Sequence, residues 1–335
     1  MHKEHPSINE SNEPLVPNAQ QVSPTRPGQE RFVAAEDESG LGAVDAVRDD
    51  SAPTSVWGEA WKHLRKRPMF WVSAVLIALA LLLAVVPGLF TSTDPAFCEL
   101  SKSLRPPSEG HPFGFDRQGC DIFARTIYGA RASVSVGVLT TLFVVILGTA
   151  IGSLAGYFGG VLDAILSRIT DIFFAVPLVL AAIVVMQVFK EQRTILTVVV
   201  VLSIFGWTSI ARITRGTVMA TKNEEFVTAA KAVGASKWYI LRKHILPNAA
   251  APIIVYATVA LGSFIVAEAT LSFLGIGLPP TIVSWGGDIA RAQASLRTQP
   301  MVLFYPAMAL GATVLSFIMM GDVVRDALDP KARKR

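Results

Sequence analysis

Charge is what this chain of 335 residues has least of. Only 17% of it is Asp, Glu, Lys or Arg, against about 25% in an ordinary soluble domain. Hydrophobic residues make up 51%, and the mean hydropathy is +0.46. The apolar residues gather in nearly charge-free stretches long enough to cross a bilayer, which argues against a soluble enzyme core. Other chemistry is missing too. There is no GxxxxGK[ST] phosphate loop, so the chain is not expected to hydrolyse ATP. The five histidines are scattered without metal-ligand spacing, and no bound metal is expected. No nucleophile–base set lies inside the apolar runs, which leaves nothing to support a membrane-embedded hydrolase. Cysteine is reduced to Cys98 and Cys120.

The net charge of +4 conceals two unequal parts. Residues 1–57 carry ten acids and four bases, and residues 58–335 carry sixteen acids and twenty-six bases. The first part is rich in Pro, Ser, Asn and Glu and lacks apolar periodicity. It cannot bury enough surface to offset the entropy of ordering and reads as a disordered tail. The first apolar run starts at Met69 with no clear cleavage pattern after it, so it reads as a retained signal-anchor.

Six spans are expected: Met69–Phe90, Val134–Ala155, Ile172–Phe189, Ile195–Ala211, Pro252–Leu274 and Met301–Met320. A run of 22 residues is ~33 Å of helix, enough for a ~30 Å hydrocarbon core. If the N-terminus is cytoplasmic, 21 of the 30 bases fall on the cytoplasmic side, as the positive-inside rule requires. Both termini are then inside. The 91–133 loop is outside and holds both cysteines. An oxidising compartment permits a Cys98–Cys120 disulfide, worth ~3 kcal/mol for a loop of this size; two unpaired thiols in one loop are the alternative.

The 212–251 loop, placed in the cytoplasm, has the pattern of two short helices. Thr221-x-x-Glu224 fits a capping box, with Asn223 an alternative cap. Phe226, Ala229, Ala230 and Val233 form one apolar stripe, and Gly234 suits the left-handed position that ends a helix. Ser236 can cap a second helix whose Trp238, Leu241 and Ile245 share a face, with Leu246-Pro247-Asn248 as its stop. Such a pair could lie on the bilayer, pack under its own spans or insert into a groove on a soluble partner.

A resemblance separates these uses. Glu225-Phe-Val-Thr-Ala-Ala-Lys-Ala-Val-Gly234, followed by His244-Ile-Leu-Pro-Asn248, resembles the EAA loop of ABC-importer permeases, with Thr228 in place of the usual Glu. His111-Pro-Phe-Gly-Phe-Asp-Arg-Gln-Gly-Cys-Asp121 and Ile127-Tyr-Gly-Ala-Arg131 are similar to that family's HPxGTDxxGRD and IYGAR blocks, with Phe115 for Thr and Cys120 for Arg. The Cys at 120 fits a bridge to Cys98. Leu271–Gly277, Trp285-Gly286 and Gly321–Pro330 look like its remaining signatures. The resemblance runs over residues 58–335 and is to the second permease of dipeptide, oligopeptide and nickel importers.

It implies an all-α, six-helix membrane protein with the type-I importer permease fold, itself non-catalytic. The implied partners are a homologous permease, two ABC ATPase subunits that bind ATP and Mg, an external substrate-binding protein, the bilayer and a peptide substrate. Phe226, Ala229, Ala230, Gly234, Leu246 and Pro247 would then form the ATPase-coupling element. Nickel or another small solute is the alternative cargo; a self-contained secondary transporter is the alternative class, disfavoured by the missing inverted repeat. Nucleic acid is not an expected partner, since the basic excess follows span orientation. Glu268, the one acid well inside an expected span, reads either as a pathway residue or as a hydrogen-bonded packing contact. Gly148, Gly152 and Gly156 read as a close-packing seam, and Pro177 as a kink in the third span.

Overall fold

The structure, a computed structural model, describes residues 56–328. The expected disordered tail lies outside the described residues except for the start of the first helix, as does the basic C-terminal cluster Lys331–Arg335.

Among the described residues the regular structure is helical, with three isolated antiparallel bridges and no strand. A short helix α1 (Val56–Leu64) precedes α2 (Pro68–Val85), which opens with Pro in its first turn, where no N–H is missed. After a long stretch with only short 3-10 turns at Pro87–Leu89 and Leu100–Lys102 come α3 (Ile122–Phe158), α4 (Gly160–Ala175), α5 (Leu178–Val188) and α6 (Ile195–Thr221). The short helices α7 (Glu225–Ala232) and α8 (Lys237–Ile240) lead through a π turn, Leu241–Ile245, into α9 (Leu246–Phe273). Helices α10 (Trp285–Ala292) and α11 (Met301–Leu328) complete the chain.

Five helical stretches are long and apolar enough to cross a membrane, and α4 with α5 forms a bent pair that makes a sixth candidate. The third expected span, Ile172–Phe189, is therefore not one straight helix. It takes in the end of α4 and all of α5, which meet at 81°. Pro177 causes the break: Val176 before it is extended, φ −89° and ψ 119°, as the proline ring demands of its predecessor. The segment between the second and third expected spans, residues 156–171, is not a plain loop, because α4 occupies most of it.

The first expected span, Met69–Phe90, is helical only to Val85, where α2 ends before a 3-10 turn at Pro87–Leu89, whereas α3 and α6 outrun their apolar cores. Helix α3 has 37 residues, about 55 Å of rise, and α6 continues ten residues past the expected end at Ala211, to Thr221. Apolar content marks what lipid demands, whereas helical hydrogen bonding continues wherever water can solvate the side chains.

The glycine seam is real and joins α3 to α6. A Cβ at Gly152 would stand 2.3 Å from Ala211 O, and one at Gly148 2.8 Å from Trp207 O. Only glycine lets the two backbones approach this closely. Next to the seam, Val144 of α3, Trp207 and Ile210 of α6 and Phe264 of α9 form one buried cluster, and Val136 of α3, Met186 of α5, Leu202 of α6 and Leu271 of α9 form another. Val75, Leu79 and Leu82 of α2 and Leu142 and Ile146 of α3 point outward and exposed, as lipid-facing side chains do.

Candidate functional site

Two regions at separate parts of the helical body carry the candidate chemistry. The first is the α7–α8 pair. Its N-cap is Glu224, in extended conformation and without a side-chain cap bond, so the Thr221 capping box does not form. Thr221 is instead the last, buried residue of α6. The far end of α7 follows the sequence closely. Gly234 has φ +81°, its N–H donates to Lys231 O at 3.0 Å, and the Ala235 N–H donates to Ala230 O at 3.1 Å. Together these make a Schellman ending. Ser236 then caps α8, accepting from the Tyr239 N–H at 3.3 Å.

The faces of the pair differ from expectation. Val227 and Ala230 turn inward and pack with Val218, Ile240, Leu241, Ile245 and Ala249. Phe226 is 41% exposed and Val233 84%, with Ala229 exposed beside them. The stripe of four thus splits, and only Ala230 belongs to the chain's own core. Trp238 is likewise exposed, while Leu241 and Ile245 are buried. Beyond Trp238, Leu246 N–H bonds Leu241 O, a five-residue step that rotates the residues after it out of α-helical phase.

That turn also overrides the expected stop. Leu246 is partly buried and Pro247 exposed, and Lys237–Phe273 runs as one helical stretch. Proline near the start of α9 causes no break because the widened turn before it has already changed the bonding pattern. The pair is anchored elsewhere by Lys222 Nζ, which donates to Gly156 O at the end of α3 at 2.7 Å. Phe158 meets Trp238 edge-on at 5.7 Å. Nearby, Arg215 binds both oxygens of Asp163, at 2.5 and 2.7 Å, tying α6 to α4. Asp171 accepts from Arg212 at 2.7 Å.

The second region joins the start of α3, the end of α9 and α10. Cys98 and Cys120 are joined by a disulfide. Gly119 beside it has φ +78°, and a Cβ there would overlap Glu99 O at 1.8 Å, so the crossing of the two chain segments requires glycine. Asp121 caps α3 by accepting from Ala124 N–H at 3.0 Å and pairs with His111.

Glu268 is completely buried. Ser133 Oγ donates to its Oε2 and Ser272 Oγ to its Oε1, each at 2.8 Å. The same two hydroxyls accept backbone N–H groups, Ser133 from Trp285 at 3.3 Å and Ser272 from Leu278 at 3.1 Å. The carboxyl therefore fastens α9, α3 and the loop leading to α10, and in this conformation it presents no free face to a solute.

Sequence reasoning missed the buried acid of α10. Asp288 of α10 accepts on Oδ1 from Arg125 Nε at 3.0 Å and Nη2 at 2.6 Å, and from Arg291. Burial pushes its carboxyl up to about 6, against the attraction and hydrogen bonds of Arg125, and Asp116 adds to the rise. Its other oxygen, Oδ2, has no partner, and neither have Arg291 Nε and Ser295 Oγ. Each unmet buried group costs ~1–3 kcal/mol. All three residues line one recess of about 370 Å³. No local signal could have exposed the pair, since Arg125 and Asp288 are 163 positions apart. The only hint was an Asp and an Arg inside otherwise apolar motifs.

These features define the class: a helical membrane component of a transport system, with long spans, a bent pair and an exposed helical elbow. Comparison with known proteins agrees. The family described as binding-protein-dependent transport system inner membrane component matches residues 148–334. The N-terminal TM domain of oligopeptide transport permease C matches residues 55–107. The chain belongs to this family of transport-system inner membrane components.

It is 38% identical over 292 residues to the oligopeptide transport system permease protein OppC of Bacillus subtilis (strain 168), covering 87% of this chain and 95% of that one. It is 38% identical over 288 residues to the dipeptide transport system permease protein DppC of Alkalihalophilus pseudofirmus, covering 85% and 93%. The glutathione transport system permease protein GsiD of Pectobacterium atrosepticum is 33% identical over 294 residues, covering 88% and 97%. A solved inward-facing conformation of the MetNI methionine ABC transporter superimposes with a TM-score of 0.51 at 19% identity, over 61% of this chain and 96% of that one. That likeness is one of fold, and the fold is that of a type-I importer permease.

Proposed function

We propose that the chain is the permease subunit of an ATP-driven importer of short peptides. It pairs with a homologous permease, takes its energy from two ABC ATPase subunits that bind ATP and Mg, and receives substrate from an external binding protein. It carries out no catalysis itself. The observation that carries this reading is the apolar face of Phe226, Ala229 and Val233, exposed beside the left-handed Gly234. A short helix with such a face suits insertion into a groove of a soluble partner. The peptide cargo rests on relatives named for oligopeptides, dipeptides and glutathione.

The continuity of α8 with α9 supplies a mechanical route. Movement of the ATPase cleft pushes the pair, and the 37-residue stretch Lys237–Phe273 carries the push as a rigid element to the Glu268 crossing. Rocking of α9 against α3 then exchanges inward- and outward-open states. The basic excess places both termini and the α7–α8 pair in the cytoplasm and the disulfide outside.

The test is Gly234→Asp in the complete transporter. Membrane insertion is expected to be normal, with ATP-dependent peptide uptake lost while ATP hydrolysis continues. Normal uptake by this variant contradicts the coupling role.

A further inference from the structure

The recess between the disulfide-bridged segment, the start of α3, α10 and the start of α11 is not explained by packing. A recess left by poor packing between apolar helices has apolar walls, and the unmet polar groups of a fold are few and dispersed. Here three of the unpartnered buried polar atoms, Asp288 Oδ2, Arg291 Nε and Ser295 Oγ, belong to residues that line one cavity. Ser295 is 1% exposed and Asp288 9%. Arg117 stands exposed on the same lining. Each of the three guanidinium nitrogens of Arg125 is engaged, at Asp288 and at Pro95 O (2.9 Å), and so the side chain holds Asp288 in place.

The unmet groups have a definite complement. Arg291 Nε–H and the Ser295 hydroxyl can donate, with Arg117 close by as a further cation. Asp288 Oδ2 can only accept while it is ionised. A ligand matching both sets carries an anionic acceptor and a cationic donor a short distance apart. At about 370 Å³ the recess is at the small end of ligand sites. We propose that it is a subsite for the main chain of a short zwitterionic peptide. The carboxylate lies against Arg117, Arg291 and Ser295, and the ammonium against Asp288. This inference rests on the peptide-importer reading and adds to it a place on the permease where the free peptide is held.

Ser295 provides a clean test, because its hydroxyl has no partner to lose. Ser295→Ala leaves folding undisturbed, as removing an unsatisfied buried group does. The assay uses the transporter assembled with its partner permease and ATPases in lipid nanodiscs, without the binding protein, and reads saturation-transfer NMR signals from tri-alanine. Saturable binding is expected. N-acetyl-tri-alanine and tri-alanine amide are each expected to bind roughly tenfold more weakly or worse, as loss of a charge-assisted hydrogen bond implies. Ser295→Ala is expected to weaken tri-alanine several-fold with unchanged assembly, and Arg291→Lys, which keeps a cation beside Asp288, to do the same.

Absence of saturable binding, equal binding of the blocked peptides, or an unaffected Ser295→Ala overturns the inference and leaves the recess to water. If the complete transporter still imports peptide in that case, only this inference falls. If the complete transporter imports no peptide at all, the reading beneath it falls as well, and this inference with it.

Discussion

The bridged segment with α10 and the α7–α8 pair are built on opposite principles. Around the bridge, buried groups are tied down by covalent and ionic links: the Cys98–Cys120 disulfide, the Asp121 cap, and Arg125 on Asp288. Three of its residues with unmet polar groups line a recess. In the α7–α8 pair the inner face is packed, but the outer face leaves Phe226, Val233 and Trp238 in the open. The first region is complete except for a small polar ligand. The second is complete except for an apolar partner. An element that must receive force needs uncommitted surface, whereas one that must hold geometry commits nearly all of it.

The largest expected effect comes from breaking the first region at Arg125. Arg125→Ala leaves the buried Asp288 carboxylate with Arg291 as its one remaining cationic partner, and removal of one partner of a buried pair costs up to ~3–5 kcal/mol. Thermal unfolding in detergent is expected to shift markedly downward, with protease sites opening between residues 94 and 121 while the α7–α8 pair stays resistant. Reduction of the disulfide comes next, at ~3 kcal/mol on the chain-entropy account. Tm is expected to fall with reductant, and a Cys98→Ser/Cys120→Ser variant to show the lower Tm without it and no further response.

A smaller effect sharpens the comparison through pH. In the folded protein Asp288 takes up a proton near pH 6, while in the unfolded chain it does so near the ordinary 3.8. The folded state thus binds more protons between those values. This group's contribution to stability is full below about pH 4 and is lost as pH rises through about 6. Lowering pH from 7 to 5 is expected to help the wild type more than Asp288→Asn, measured as the difference in their Tm shifts. Equal shifts would show that the buried carboxyl does not titrate there.

Much of this was legible in the chain alone. Lipid admits few charges, so the apolar runs located the five long candidate spans and the bent pair, and Pro177 marked the break between α4 and α5. Gly234 and Ser236 were readable because each answers a local backbone need. The disulfide followed from two cysteines sharing one loop. What could not be read has equally physical causes. Helix ends escaped because α3 and α6 continue into water after their apolar stretches stop. The faces of α7 and α8 escaped because periodicity identifies an apolar stripe but not what covers it, and the π turn at Leu241–Ile245 shifts the phase of the residues after it. The Arg125–Asp288 pair and the Ser133–Glu268–Ser272 crossing depend on contacts between distant segments, which no local pattern encodes.

The central claim is that Phe226, Ala229 and Val233 are covered by an ATPase subunit. Val233→Cys tests it directly, since the two native cysteines are consumed in the disulfide and no free thiol competes among the described residues. In the isolated permease a water-soluble maleimide is expected to label the new thiol quickly. In the complete transporter, labelling is expected to slow at least tenfold, and a short thiol–amine cross-linker to join this chain to an ATPase subunit. Equal labelling in both preparations, with no cross-link, would contradict the account.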